Sequence, residues 1–231
     1  IILKSAKKII TLSSSLKNEV MRFENLENKI EVIPNGVNTQ LFNSDSEDRE
    51  NLIIYTGSLI KRKGVEYLIK AFPAVINSYP DFKLIIIGEG NEENNLKNLV
   101  KYLEIDKYVK FLGQISQNSV KEWLQKSKLF ILPSLEEGQG VVLIEALACG
   151  TPCIGSEVGG IPDVINNDVG TLVPPKNTKD LSEAILFYLN NKDIWHIKSR
   201  NSRLRAIQYF EWDVIGKKIV QLYDSILLKD E

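Results

Sequence analysis

The chain has 231 residues, 43% hydrophobic and 26% charged, and its 29 basic and 30 acidic side chains leave a formal net charge of -1. That length allows one large domain or two small ones, the near-neutral balance creates no field that would gather nucleic acid, and no apolar run approaches the ~20 residues of a membrane span. Two cysteines, Cys149 and Cys153, and a single histidine, His196, exclude a disulfide framework, a zinc set and a histidine-based triad. The thiols read as small buried residues, compatible with a cytoplasmic setting, and His196 as a surface or packing residue. The first residue is Ile1 and no signal-peptide layout follows, so the chain reads as a piece of something longer.

Short β-branched runs alternate with helical patterns, which predicts βα units around a parallel sheet with helices on both faces, a Rossmann-like α/β fold. Lys8–Leu12 reads as a strand and Ser13-Ser14-Ser15 as the cap of the helix after it. Lys29–Ile33 is a second strand, ended by the turn Pro34-Asn35-Gly36, and the polar run Asn43–Asn51 reads as an exposed loop. The regular part predicts strands at Leu52–Thr56, Phe82–Ile87, Val109–Leu112, Leu129–Leu132, Pro152–Gly155 and Gly170–Val173. Helices are expected at Gly64–Ser78, Glu92–Leu103, Val120–Lys126, Asp180–Asn190, Ile194–Tyr209 and Trp212–Leu228, and another follows the fourth of these strands. In such a sheet ligands gather beyond the carboxyl ends of the strands, where the strand order reverses.

The loops there carry the chemistry. Gly57-Ser58-Leu59-Ile60-Lys61-Arg62-Lys63-Gly64 places three cations at a helix start, where the helix dipole disfavours them. Either they are fully solvated or an anion compensates; flanking glycines favour a phosphate clamp, with Lys63 the best-placed cation. Gly88-Glu89-Gly90 fits a structural loop better than a nucleoside contact, and Phe111-Leu112-Gly113-Gln114-Ile115 offers backbone and apolar surface to a flat base without requiring one. Glu137-Gly138-Gln139-Gly140-Val141 leads into a segment whose side chains from Val141 to Cys149 are apolar or small except Glu145. A helix apolar all round is expected to be buried, and a lone carboxylate in it needs a partner. Glycines ahead of it leave amides open to an anion. Together they suggest a ligand bearing hydroxyls and phosphates, as a nucleotide sugar does. Gly155–Asp163 fits both tight packing and ligand contact.

In this order and spacing the motifs resemble the C-terminal half of the retaining group 1 (GT4) glycosyltransferases of the GT-B fold, over essentially the whole chain. The matching pieces are Asn35-Gly36-Val37-Asn38 with Phe42, Gly57 to Gly64, the E-x7-E pair Glu137 and Glu145 running into Cys149-Gly150-Thr151-Pro152, Val158 to Pro162, Gly170 to Pro175, and Phe210-Glu211-Trp212. The resemblance implies transfer of a sugar, with retention, from a nucleotide donor such as a UDP or GDP sugar to a glycan, lipid or other acceptor. It implies Lys63 on the diphosphate, Glu145 on the ribose hydroxyls and Glu137 facing the sugar near the chemistry. Gly57, Ser58, Gly138 and the amides around Gln139, Gly140 and Val141 would line the phosphates and sugar, and Leu112 to Gln114 would meet the base. No metal or cofactor is implied, since the catalytic task is electrostatic stabilisation of a phosphate leaving group. Two positions depart from the pattern: Ser58 stands where arginine is usual, and Gln139 where an aromatic residue is frequent.

The same resemblance divides the chain into a remnant of an acceptor domain (1–28), a donor-binding domain (29–210) and a last helix (211–231) that would pack back on the missing domain. It implies a donor-binding part that is inactive alone, in an enzyme of the cytoplasm that could associate peripherally with the inner face of the membrane. Three other readings compete with it. A glycogen-type phosphorylase of the GT-B fold would carry a pyridoxal phosphate lysine, and no segment matches one. A non-catalytic nucleotide- or glycan-binding module is favoured by Ser58 and disfavoured by the presence of both Glu137 and Glu145. A dinucleotide dehydrogenase lacks its GxGxxG after a strand.

Overall fold

The computed structural model describes residues 2–23, 26–43 and 48–228. A short helix α1 (Ile2–Ser5) precedes β1 (Ile9–Thr11), α2 (Ser14–Phe23) and β2 (Ile30–Val32). β1 and β2 pair in parallel, Ile9 opposite Ile30, as a two-stranded sheet of their own. The expected boundary between residues 28 and 29 therefore separates two strands that pair, and the chain leaves this small unit only after Val32.

The rest alternates as the periodicity predicts: β3 (Glu50–Thr56), α3 (Val65–Ser78), β4 (Lys83–Ile87), α4 (Glu93–Tyr102), β5 (Val109–Phe111), α5 (Gln117–Lys126), β6 (Ser127–Leu132), α6 (Val141–Ala148), β7 (Cys153–Ser156), α7 (Ile161–Val164), β8 (Gly170–Val173), α8 (Thr178–Asn190), α9 (Lys192–Arg205) and α10 (Trp212–Leu227). All strand pairs of the large sheet are parallel, in the order β5-β4-β3-β6-β7-β8. The chain builds outward from β3, then returns to lay β6 on its other side. The crevice between β3 and β6 is thus the switch point where doubly wound sheets bind ligands. Ile53, Ile54 and Tyr55 of β3 and Leu129 to Leu132 of β6 are fully buried, as expected of parallel strands covered on both faces.

Three expectations need correction. The helix expected over Ile194–Tyr209 ends at Arg205 and is followed by a π-type turn, Ala206–Phe210. That turn lets the carbonyl of Phe210 accept from Val37 N at 2.7 Å, while Trp212 N donates to the Val37 carbonyl at 3.3 Å. The polar run Asn43–Asn51 is not wholly an exposed loop: residues 44–47 lie outside the described residues, Arg49 is 7% exposed, and β3 begins at Glu50. The guanidinium of Arg49 collects the last carbonyls of two helices. Nη1 donates to Leu124 O (3.0 Å) and Gln125 O, and Nη2 to Cys149 O (2.7 Å) and Gly150 O (3.4 Å). These acceptors lie at negative helix ends, where a cation is favoured. Burial lowers its pKa to about 10.

The third correction concerns α6. Leu143, Ile144, Ala146, Leu147 and Ala148 are buried, but Val141 is 39% exposed and Glu145 half-buried. The helix is therefore not buried all round; Glu145 has access to the crevice. Full burial of Leu143, Ile144 and Leu147 contributes roughly 1.5–3 kcal/mol each, which fixes the helix and hence the direction of Glu145.

Replacing Arg49 by Met is expected to lower the denaturant midpoint at an unchanged slope, a loss of about 3 kcal/mol, because several buried carbonyls lose their donor at once. An unchanged midpoint in urea would contradict this role.

Candidate functional site

Five loops meet at the carboxyl edge of the large sheet, and backbone hydrogen bonds join each to the next. From the β5 side, Gly88 N donates to Gly113 O (2.8 Å), Gly57 N to Ile87 O (3.0 Å) and Leu59 N to Glu89 O (2.8 Å). Leu135 N then donates to Arg62 O (2.7 Å), and Gly160 N to Glu137 O (3.0 Å). Glycine is required where the loops touch most closely. A Cβ on Gly64 would lie 2.1 Å from the carbonyl oxygen of Pro133, and one on Gly159 would lie 1.8 Å from that of Glu137; both residues also have positive φ, +63° and +54°.

At the centre Lys63 and Glu137 form an ion pair, Nζ to Oε2 2.6 Å, with side chains 15% and 9% exposed. The hydroxyl of Ser134 donates to the same carboxylate oxygen at 3.3 Å. Lys61, Arg62 and Lys63 occupy a 3-10 turn (Lys61–Lys63) whose end is the left-handed Gly64, and α3 starts after it. The cations thus stand just ahead of the helix. Lys61, Arg62 and Ser58 are exposed. Tyr55, at the end of β3, donates its hydroxyl to Ser58 O at 3.0 Å. Burial, and then the charge of Glu137, push that phenol far above its ordinary range, so it stays a donor.

The opposite wall is the start of α6. Gly140 is its N-cap in left-handed conformation, and no side chain caps the helix or places an acid in its first turn. The leading amides of a helix have no intrahelical acceptor, so this end presents open donors to an anion. One turn in, Glu145 Oε1 accepts from Gln117 Nε2 at 3.3 Å. Burial raises the pKa of Glu145, an effect the bond from Gln117 partly offsets.

Of the sequence-predicted residues, Gly57, Ser58 and Lys63 follow β3, and Glu137, Gly138, Gln139, Gly140, Val141 and Glu145 follow β6, so the two walls face each other across the switch point. Leu112 and Gln114 follow β5 and reach the rim through β4's loop: Gln114 N donates to Glu89 Oε1 at 3.2 Å. Glu89, given a structural reading, is thus the tie between two loops. Gln139 does not present its side chain to the crevice. It is 3% exposed, and its Oε1 accepts from Asn35 N (3.0 Å) and Asn35 Nδ2 (2.8 Å). Sequence reasoning missed Tyr55, Ser134 and Gln117. Ser134 stands three residues before Glu137 and signals nothing alone; Gln117 lay hidden among the capping residues Ser116 to Ser119. Among the described residues no group of three or more His, Cys, Asp or Glu could hold a metal ion, and no helix is long and apolar enough to cross a membrane.

This crevice, with its loop glycines and acid pair, is matched by the family profile described as glycosyl transferases group 1, over residues 37–209. The chain belongs to the group 1 glycosyltransferases. It is 32% identical over 231 residues to an uncharacterised glycosyltransferase of Methanocaldococcus jannaschii, covering 93% of this chain and 59% of the relative. It is 31% identical over 237 residues to the N-acetyl-alpha-D-glucosaminyl L-malate synthase of Bacillus anthracis, covering 96% and 60%. Sucrose-phosphate synthase from Thermosynechococcus elongatus superposes with a TM-score of 0.87 at 30% identity, over 99% of this chain and 60% of that one. An Anabaena protein solved in complex with UDP shares the fold, TM-score 0.87 at 21% identity, over 95% and 64%. The glycosyltransferase chain described here thus spans about 60% of the length of the relatives it matches. Its fold is the expected Rossmann-like one, shared with GT-B glycosyltransferases.

The raised carboxyl of Glu145 makes a stability prediction. An acid whose folded pKa lies above its unfolded value, about 4.3, costs stability once pH rises past that unfolded value, and the cost is complete above the folded pKa. Glu145→Gln is therefore expected to melt at a higher temperature than the parent at pH 7 and to lose that advantage by pH 4. An advantage equal at both pH values would contradict the assignment.

Proposed function

We propose that this chain is the donor-binding part of a retaining glycosyltransferase and that a nucleoside diphosphate sugar lies across the crevice between β3 and β6. The observation that carries the reading is the pairing of Lys63 with Glu137 opposite an uncapped helix start. Each of these elements has a complement in the donor: anionic phosphate for the cation and the amides, hydroxyl donors for the carboxylate. The diphosphate takes Lys63 and the open amides near Gly140 and Val141, with Gly57, Ser58 and Gly138 lining the same space. Glu137, released from Lys63, turns to the sugar hydroxyls. Glu145 accepts from the ribose hydroxyls, and Leu112 with Gln114 meets the base at the β5 end of the rim.

In the reaction the bond between the anomeric carbon and the diphosphate oxygen breaks, an acceptor hydroxyl oxygen bonds to that carbon with retained configuration, and the hydroxyl proton passes to the departing diphosphate. Negative charge gathers on the departing phosphate, where Lys63 and the α6 dipole stabilise it. Ser58 withholds the arginine usual in the family. Lys61 and Arg62, both exposed on the turn after Ser58, are the cations available to replace it. The acceptor, a glycan or a lipid-linked group, is held by residues outside this chain. The exposed apolar residues Val220, Tyr223 and Leu227 of α10 offer a surface for such a second domain. The small unit 9–32 is read with that domain. The working place is the cytoplasm, where the enzyme reaches lipid-linked acceptors at the inner face of the membrane.

Calorimetric titration with UDP, GDP and ADP, then with their sugars, tests the donor site. One nucleoside diphosphate is expected to bind clearly better than the others. Lys63→Ala and Glu145→Gln should each weaken it, the latter by about 1–3 kcal/mol for lost hydrogen bonds to a charged group. Equal affinity for all three, with both variants like the parent, would remove the support for the site. Sugar transfer to acceptor should be slow or absent for the 231-residue chain alone; rapid turnover would overturn the division between donor and acceptor parts.

A further inference from the structure

Gln139 occupies the middle of the glycine-rich loop proposed to hold the donor, yet its side chain turns away from the crevice and into the protein. Its Oε1 accepts two hydrogen bonds from one residue, Asn35, through N at 3.0 Å and Nδ2 at 2.8 Å. Asn35 lies in the segment that joins the two-stranded sheet β1–β2 to the rest of the chain. Two donors on one oxygen fix the amide's orientation and leave the other end, Nε2, buried without a partner. A buried donor left unpaired is unfavourable, so the arrangement is held by what Oε1 does.

The small unit touches the same loop elsewhere. A Cβ on Gly138 would meet Leu16 of α2 at 3.9 Å, and one on Gly160, the residue whose amide holds Glu137's carbonyl, would collide with Ser13 at 2.7 Å and Gln139 at 2.9 Å. The N-terminus of α2 is tied alongside, Ser14 N donating to Asp163 Oδ2 at 2.6 Å. The connecting segment is itself clamped from the other side, where Val37 pairs with Glu211 and Thr39 N donates to Glu211 Oε2 at 3.0 Å. The connecting segment and the donor loop therefore share one partly buried contact of two hydrogen bonds, with Gln139 its buried side.

We propose that Asn35 and Gln139 act together as positioning residues: they hold the loop 137–140 so that its amides and Glu137 face the donor, and they link the shape of that loop to the segment between the two sheets. Neither side chain touches the donor. The inference rests on the donor-site reading above, but its physical core, the link between segment and loop, is readable without ligand.

The test uses Gln139→Leu, Asn35→Ala and the double variant, each checked for folding by its melting curve. Hydrogen exchange of the backbone amides is followed with and without the best-binding nucleoside diphosphate. In the free parent the Asn35 amide should exchange slowly, and Gln139→Leu should speed both it and the amides of 138–142. Each single change should weaken nucleotide affinity about three- to tenfold, the scale of one net hydrogen bond. The double variant should be no weaker than the worse single one, as expected for a coupled pair. Gln139→Glu, which keeps an acceptor for Asn35, should restore slow exchange at Asn35. Additive losses, or loop amides unaffected by Gln139→Leu, would overturn the proposal. Absence of nucleotide binding in the parent would instead overturn the donor-site reading, while the exchange in free protein would still decide the link.

Discussion

The site depends on one constraint: the five loops at the carboxyl edge of the sheet are bonded backbone to backbone, with no side chain between them at the closest points. Gly64 against Pro133, Gly88 against Gly57 and Gly159 against Glu137 are among the positions where a Cβ would force the chains apart. The amides and carbonyls spent in this stitching are satisfied, as buried backbone groups must be. Those left open, at the start of α6, face the crevice. The loops thus form a rim whose shape is set by main-chain bonds, and the side chains of Lys63, Glu137 and Glu145 are carried on it.

Charge is arranged on that rim so that opposite signs meet across the loops. Lys63 and Glu137, both largely buried, would each be costly alone, and their mutual contact offsets that cost. Glu145 differs: its contact is the amide of Gln117, at the edge of the crevice, and burial works against its charged form. A carboxylate held at such a cost suits a position where hydroxyl donors arrive with the ligand.

The same economy of contacts extends beyond the site. Arg49, in a stretch of polar residues, is drawn inward because two helices end beside it and their last carbonyls accept from its guanidinium. Asn35 reaches Gln139 because the chain crosses from a two-stranded sheet to a six-stranded one next to the loop 137–140. In each case a polar side chain is buried by the need of backbone or amide groups that are far away in the sequence.

The sequence by itself determined the order of strands and helices, since β-branched runs and helical spacing are local, and it determined which loops carry glycines, cations and acids. Lys63, Glu137 and Glu145 were legible for that reason: each is an unusual residue type in its local setting. The family membership was legible from the same motifs in the same order. Only the tertiary structure decided which groups meet. That Lys63 closes on Glu137 across 74 positions, that Gln139 turns to Asn35 across 104, and that α6 leaves Glu145 open to the crevice follow from how β6 returns beside β3. Periodicity describes one element at a time; pairing across the switch point depends on packing the whole sheet, and no local pattern encodes it.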